Sequence, residues 1–461
     1  MKIDRALING TIVTSEGRFR GGIGIRDGRI AAITEGGNGF TGGEIIDVAG
    51  NYILPGVIDA HIHFQDPGFT HREDFEHGTA ACAVGGITTA ISHPMNDPAV
   101  VDVESYQANL DAYRGRAVVD YGLHGGGTAD NVEEVESLWS QTGATAVKMF
   151  MCFSVKEFPF VQDDAMFEIL ERLARQGGLA IIHAENEGLI RQKEQQLKAA
   201  GRRDPMAYNE SRPAYVEIEA VRRAIVMLEQ TGAAALIAHV STARALEEIR
   251  AARERGVRIW AESCPHFFTF VDEDMNRLGP FLKFSPVMHD DANRKRLWEL
   301  LEQGYIHTLG SDHCPFAAAE KEAGLQDIWK APNGIPGLEV MLPVFLDGVN
   351  RGLLSFERLV EVTSRNPARL YGMAPAKGDI RPGADADLVV VDMGLTKSFS
   401  AMERKSKCPW SPYEGMTLKG WPVMTYVRGE LVADHGRICV SPGYGRYVPR
   451  PKGAREGKGQ P

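Results

Sequence analysis

Between residues 51 and 376, short apolar runs alternate with stretches of helical periodicity. The apolar runs end near Phe64, His93, His124, Phe150, His183, His239, Pro265 and His313. Apolar positions recur at helical spacing in the intervening stretches, such as Asp163 to Gln176, Tyr215 to Gln230, Ala243 to Arg255 and Asp291 to Gln303. Eight strand–helix units of this kind predict an α/β protein built on a (β/α)8 barrel over 51–376.

The flanks read differently. Residues 1–50 break into short strands with tight turns. Asn9-Gly10 and Asp27-Gly28 each supply a hairpin dipeptide. The stretch Val427 to Val432, closing in His435-Gly436-Arg437, echoes Ile8 to Val13 and Glu16-Gly17-Arg18. One small β-sandwich domain, formed by 1–50 and 377–448 together, is therefore expected. The stretch 449–461, rich in Gly, Pro, Lys and Arg, reads as a disordered tail.

Polar residues gather where the apolar runs stop, the end at which barrel enzymes place their chemistry. His61 and His63 close the run Tyr52 to Ala60. At i and i+2 of a strand they project to one face. His183 and His239 close two later runs. Each histidine alone could be a satisfied core residue. Four on one rim are enough for two borderline divalent metals such as zinc, which favours nitrogen ligands.

Lys148 lies within the apolar run Thr145 to Phe150. A lysine there either snorkels to solvent or is buried beside the metals. A buried ammonium beside two dications is disfavoured by desolvation and by like charge. A neutral amine can add carbon dioxide, and the carbamate would bridge two metals. Asp312, in Gly310-Ser311-Asp312-His313, is either a helix N-cap or a metal ligand that also accepts a proton.

Composition narrows the class further. The 461 residues are 43% hydrophobic and 24% charged, ordinary for a globular protein. A net charge of -10 argues against nucleic acid or an anionic membrane as partner. Residues 1–6 lack the apolar core of a signal peptide, and no uncharged stretch is long enough to span a bilayer. Six scattered cysteines form no Cys-x-x-Cys, so a cytoplasmic protein with free thiols is expected.

Taken together, several motifs resemble those of the cyclic amidohydrolases: hydantoinases and dihydropyrimidinases, allantoinases and dihydroorotases. They are Asp59 to Phe64, Gly85 to Thr89, Val147 to Phe150, His183-Ala184-Glu185, His239-Val240-Ser241, Gly310 to His313, Asn366-Pro367-Ala368 and Gly383 to Leu388. The likeness covers nearly the whole chain. It implies N6-carboxylysine at Lys148, two metals, and commonly a homotetramer. His61, His63 and Asp312 would hold one metal, and His183 and His239 the other.

Within the family, the resemblance points in two directions. Asp66 to Thr70 is similar to the opening of dihydroorotases and allantoinases, yet dihydroorotases have an arginine where this chain has Gln65. That arginine pairs with the substrate carboxylate, and an amide cannot replace it. Phe284-Ser285-Pro286 and Pro332 to Gly337 resemble the hydantoinase segments that hold a cyclic imide, so Ser285 and Asn333 would orient the ring. Dihydropyrimidinases carry a tyrosine where this chain has Phe153, which has no hydroxyl. His93, Asn96 and Phe153 lie near the barrel mouth and either shape the pocket or serve the structure. The expected reaction is metal-dependent opening of a cyclic amide, foremost a 5-substituted hydantoin, with Asp312 as the catalytic proton carrier. Allantoin is the alternative substrate. Dihydropyrimidines and dihydroorotate follow, and a non-catalytic assembly role is disfavoured because all six ligand types are present.

Overall fold

A computed structural model describes residues 2–36, 39–156 and 158–451. Eight parallel strands form the barrel: Val57–Ile62, Ile87–Ser92, Asp120–Leu123 with Gly125–Gly126, Val147–Phe150, Leu179–His183, Ala234–Ile237, Ile259–Ser263 and Thr308–Leu309. Neighbours pair in sequence order. The bridge from Ile62 to His313 closes the ring. The strands are buried on both faces, as parallel strands covered by helices must be.

The third strand changes partner at His124. Its backbone N–H reaches Ser92 O at 2.9 Å, and the next N–H, of Gly125, reaches Ala146 O at 2.9 Å. The His124 ring bonds Ala60 O and Thr145 Oγ1 and so plugs the barrel interior.

Helices cover the outside as the periodicity predicts. Asp163–Gln176 buries Met166, Ile169, Leu170 and Leu173, a stripe spaced i, i+3, i+4, i+7. It stops at Gly177, whose φ of 64° suits a residue without Cβ.

Both chain ends meet in one nine-stranded sheet. Tyr52–Pro55 joins its two halves, pairing parallel with Arg5–Thr14 and antiparallel with Leu388–Ser398. The apolar run that reads as one strand is thus two. Tyr52–Pro55 belongs to the terminal sheet and Val57–Ile62 to the barrel. Gly56 is the joint, where a Cβ would sit 2.0 Å from Thr88 Oγ1.

Asp27-Gly28 turns a hairpin as expected, with both residues at positive φ. Asn9-Gly10 does not. Asn9 has φ 58°, but the register shift between Leu7 and Gly10 makes it a bulge inside the single strand Arg5–Thr14. The sheet domain docks on the barrel through buried Lys377, which donates to Asp120 and Asp387 at 2.7 Å each.

At the start of the expected tail, residue 450 is packed rather than loose. Arg450 donates to Ala144 O at 2.9 Å, and its guanidinium lies 3.7 Å from the centre of the Trp139 ring. Its long side chain packs there because Trp139 offers both a flat face and a free carbonyl. Residues 452–461 of that stretch lie outside the described residues. Among the described residues, no helix is long and apolar enough to cross a membrane.

Candidate metal centre

The barrel carries all six expected ligands to one end. His61 lies in the first strand, Lys148 in the fourth and His183 at the end of the fifth. His63, His239 and Asp312 follow the ends of their strands. Asp312 Oδ1 lies 3.2 Å from His61 Nε2 and 3.4 Å from His63 Nε2. On the other side His183 Nδ1 faces His239 Nε2 at 3.0 Å. The His61 and His239 rings, 5.1 Å apart, link the two groups.

These positions are held against the backbone's preference. His239, Asp312 and Gln65 have φ of 37°, 46° and 61°, left-handed values for residues with a Cβ. Such conformations cost on the order of 1–3 kcal/mol each and gather at functional sites. Around Asp312 the frame is rigid. Ser311 N–H reaches Asp59 Oδ1 at 3.1 Å, and His63 N–H reaches His313 O at 2.8 Å.

Carboxylates behind the histidines decide which nitrogen each presents. His61 Nδ1 is 2.5 Å from Glu262 Oε1, leaving Nε2 toward Asp312. His183 Nε2 is 2.8 Å from Glu185 Oε2, leaving Nδ1 toward His239. Glu185 also accepts from Arg212 at 2.8 Å and from Ser285 Oγ at 2.5 Å. Metal-binding histidines are oriented in this way. Sequence reasoning gave no role to Glu262, Glu185 or Arg212, although Glu185 stands in the motif His183-Ala184-Glu185. Glu262 sits near a strand end as the ligands do, and Glu185 shares the phase of His183. Nothing in the sequence marks Arg212, which reaches the site from between two helices.

The donor set suits cations. Lys148 Nζ, His239 Nδ1 and both nitrogens of His93 are buried without a hydrogen-bond partner. His61, His63 and His93 bring ligand atoms within 4.8 Å of one another. His93 stacks on His61 at 4.0 Å with planes 14° apart. Buried polar groups left without partners need a ligand or water to satisfy them. Glu262→Gln should weaken metal binding about 10- to 100-fold while leaving the fold intact. Competition with a chelator measures it, and unchanged affinity would remove Glu262 from the site.

The model of the amidohydrolase family matches residues 52–432. The chain belongs to that family. It is 38% identical over 445 residues to an L-hydantoinase of Paenarthrobacter aurescens, covering 96% of this chain and 97% of that protein. It is 34% identical over 445 residues to an allantoinase of Deinococcus radiodurans, covering 96% and 98%. The solved structure of an L-hydantoinase (dihydropyrimidinase) from Arthrobacter aurescens superposes with a TM-score of 0.94 at 37% identity, covering 97% of this chain and 100% of that one.

In this amidohydrolase, Lys148 is fully enclosed. Desolvation pulls its pKa down to about 8, against the pull of Asp312 and Glu262. Close to neutral pH a useful fraction is therefore free amine, the form that adds carbon dioxide. Burial also lowers His61, His93 and His239 well below the usual histidine value, with Lys148 contributing. Their lone pairs stay open to a metal. Burial would raise Glu185, but Arg212 and His183 bring it down to about 2, so it is an anion throughout the working range.

The residues expected to touch substrate fare unequally. Ser285 Oγ donates to Glu185 and accepts from Arg212 at 3.0 Å. Asn333 keeps its buried Oδ1 without a partner. Gln65 donates to Cys314 Sγ at 3.6 Å and accepts from Arg72 at 3.3 Å. Arg72 itself is paired with Glu320 at 2.6 Å. Phe153 is 54% exposed, its N–H bonded to Glu187 at 3.0 Å. Asn96 also has a structural task, its side-chain N–H groups donating to Asn109 Oδ1 at 2.8 Å and to the Tyr113 hydroxyl at 2.9 Å.

Proposed function

We propose that this amidohydrolase opens cyclic amides, foremost five-membered hydantoin-type rings, with the help of two divalent metals, zinc in the first instance. The observation that carries the reading is the convergence of four imidazoles and Asp312 on one barrel mouth around a buried, unpartnered Lys148. His61, His63 and Asp312 would hold one metal, His183 and His239 the other, and carboxylated Lys148 would bridge them. Bound there, the metals would lower the pKa of a water to about 7 and polarise the amide carbonyl.

The protein's own groups do the rest. Asp312 takes the proton of the attacking water as the new C–O bond forms. It returns that proton to the ring nitrogen as the C–N bond breaks. Ser285 and Asn333 orient the imide edge. Glu185 and Arg212 hold Ser285 from behind.

Substrate choice follows from charge. The nearest guanidinium to Gln65 is already neutralised by Glu320, so no free cation awaits a ring carboxylate there. Polar mismatches of this kind discriminate by roughly 10⁴ or more. Hydrolysis of 5-substituted hydantoins, or of allantoin (itself a 5-ureido-hydantoin), is expected, with negligible hydrolysis of dihydroorotate. A turnover panel with dihydrouracil and hydantoins of both hands tests it. Dihydroorotate as best substrate by kcat/KM would overturn the placement but not the metal centre. Phe153 weighs against dihydropyrimidines, having no hydroxyl to offer. The six cysteines are all free, which supports a cytoplasmic setting. The homotetramer expected from the resemblance is checked by light scattering.

A further inference from the structure

Two lysines near the mouth are buried without a carboxylate. Lys321, on the short helix Ala318–Glu322, is fully enclosed. Its ammonium donates to three backbone carbonyls: Lys283 O at 2.9 Å, Pro332 O at 3.0 Å and Gly334 O at 2.9 Å. Three acceptors match its three N–H donors. Lys283 in turn donates to Ile328 O at 2.9 Å and to Ala331 O. Among the described residues, neither lysine has an acidic group within ion-pair distance. Burying a cation that has only carbonyls and a ring face (Trp410 at 5.5 Å from Lys321, Tyr208 at 4.6 Å from Lys283) for partners is costly, and an apolar side chain of similar length would fill the same volume. What an ammonium adds is the power to draw carbonyls from two separate segments to one point.

The segments concerned are those that carry Ser285 and Asn333. Lys283 O also accepts from Gly334 N–H at 3.0 Å, so the two are tied twice. The Pro332 carbonyl and the Asn333 N–H share one trans peptide plane and point in opposite directions. Fixing the carbonyl on Lys321 aims that N–H away from the lysine. No hydrogen bond to protein uses the Asn333 N–H among the described residues, and Asn333 Oδ1 is buried and unpaired. A donor and an acceptor are thus held open side by side, as the edge of a cyclic imide requires.

We propose that Lys321 is a positioning residue for substrate recognition, setting the spacing of Asn333 and Ser285 through the three carbonyls it gathers. The inference rests on the cyclic-imide reading above. Preorganised binding groups cost less to order when the ligand arrives, so loss of the staple falls on affinity.

The test measures KM, kcat and metal content for a 5-substituted hydantoin with Lys321→Met, in the natural background and with Asn333→Ala. Lys321→Met should raise KM about tenfold, keep kcat within about threefold and leave the metal content unchanged. With Asn333→Ala already present, Lys321→Met should raise KM by a smaller factor than in the natural background, because the Oδ1 acceptor is gone and only the backbone N–H is left for the staple to aim. Should Lys321→Met not accumulate as folded protein, Lys321→Gln gives the same comparison. Wild-type KM in the single variant, or an equal rise in both backgrounds, overturns the proposal. A wild-type protein that opens no cyclic amide overturns the functional reading and this inference with it. An active wild type with an unaffected Lys321→Met overturns this inference alone.

Discussion

Lys148→Ala should lose both bound metals and all measurable turnover. Lys148 is fully buried, its amine has no hydrogen-bond partner, and it sits beside Asp312 and Glu262 among four histidines. A lysine so placed costs stability unless something compensates it. As a carbamate it would be the anion that two dications require. Alanine removes that anion and opens a cavity of the same shape. A short carboxylic acid should enter the cavity and restore part of the metal content and part of the rate. Metal analysis and steady-state kinetics, with and without the added acid, check both halves. A fully active Lys148→Ala enzyme with two metals per chain would make the lysine a structural residue.

Asp312→Asn should fold normally and lose about 10²- to 10⁴-fold in kcat, the range expected for a positioned general acid–base group. Asp312 Oδ1 lies 3.2 Å from His61 Nε2 and 3.4 Å from His63 Nε2, and among the described residues no other carboxylate stands so close to both rings. Asparagine tolerates left-handed backbone, and the φ of 46° therefore does not force a rearrangement. Its amide cannot carry a proton between water and the leaving nitrogen. Substrate affinity should change far less than turnover. Near-normal turnover would assign the proton transfer to another group.

The barrel is readable from the chain because its strands are short, apolar and regularly spaced. Their polar ends are readable for the same reason, since a histidine closing a buried run is conspicuous. What escapes is whatever depends on contacts between distant segments. The run from Tyr52 to Ala60 carries no periodicity change at Gly56. Only the approach of Thr88 shows why the strand divides there. Asn9-Gly10 supplies positive φ to a bulge as readily as to a hairpin. Arg212 and Lys321 look like surface residues in sequence, and become site residues only when folding brings Glu185 and three carbonyls to them. The hold of Asn109 and Tyr113, both on one helix, on the Asn96 amide is equally invisible in the sequence.

The central claim is that two metals on this barrel mouth open a cyclic amide. Metal-free protein, titrated with zinc while ring opening of a 5-substituted hydantoin is followed, tests it most directly. Activity should be absent without metal and should reach its plateau at two equivalents per chain. Full turnover in the metal-free protein, or none for any cyclic amide at two bound equivalents, would contradict it.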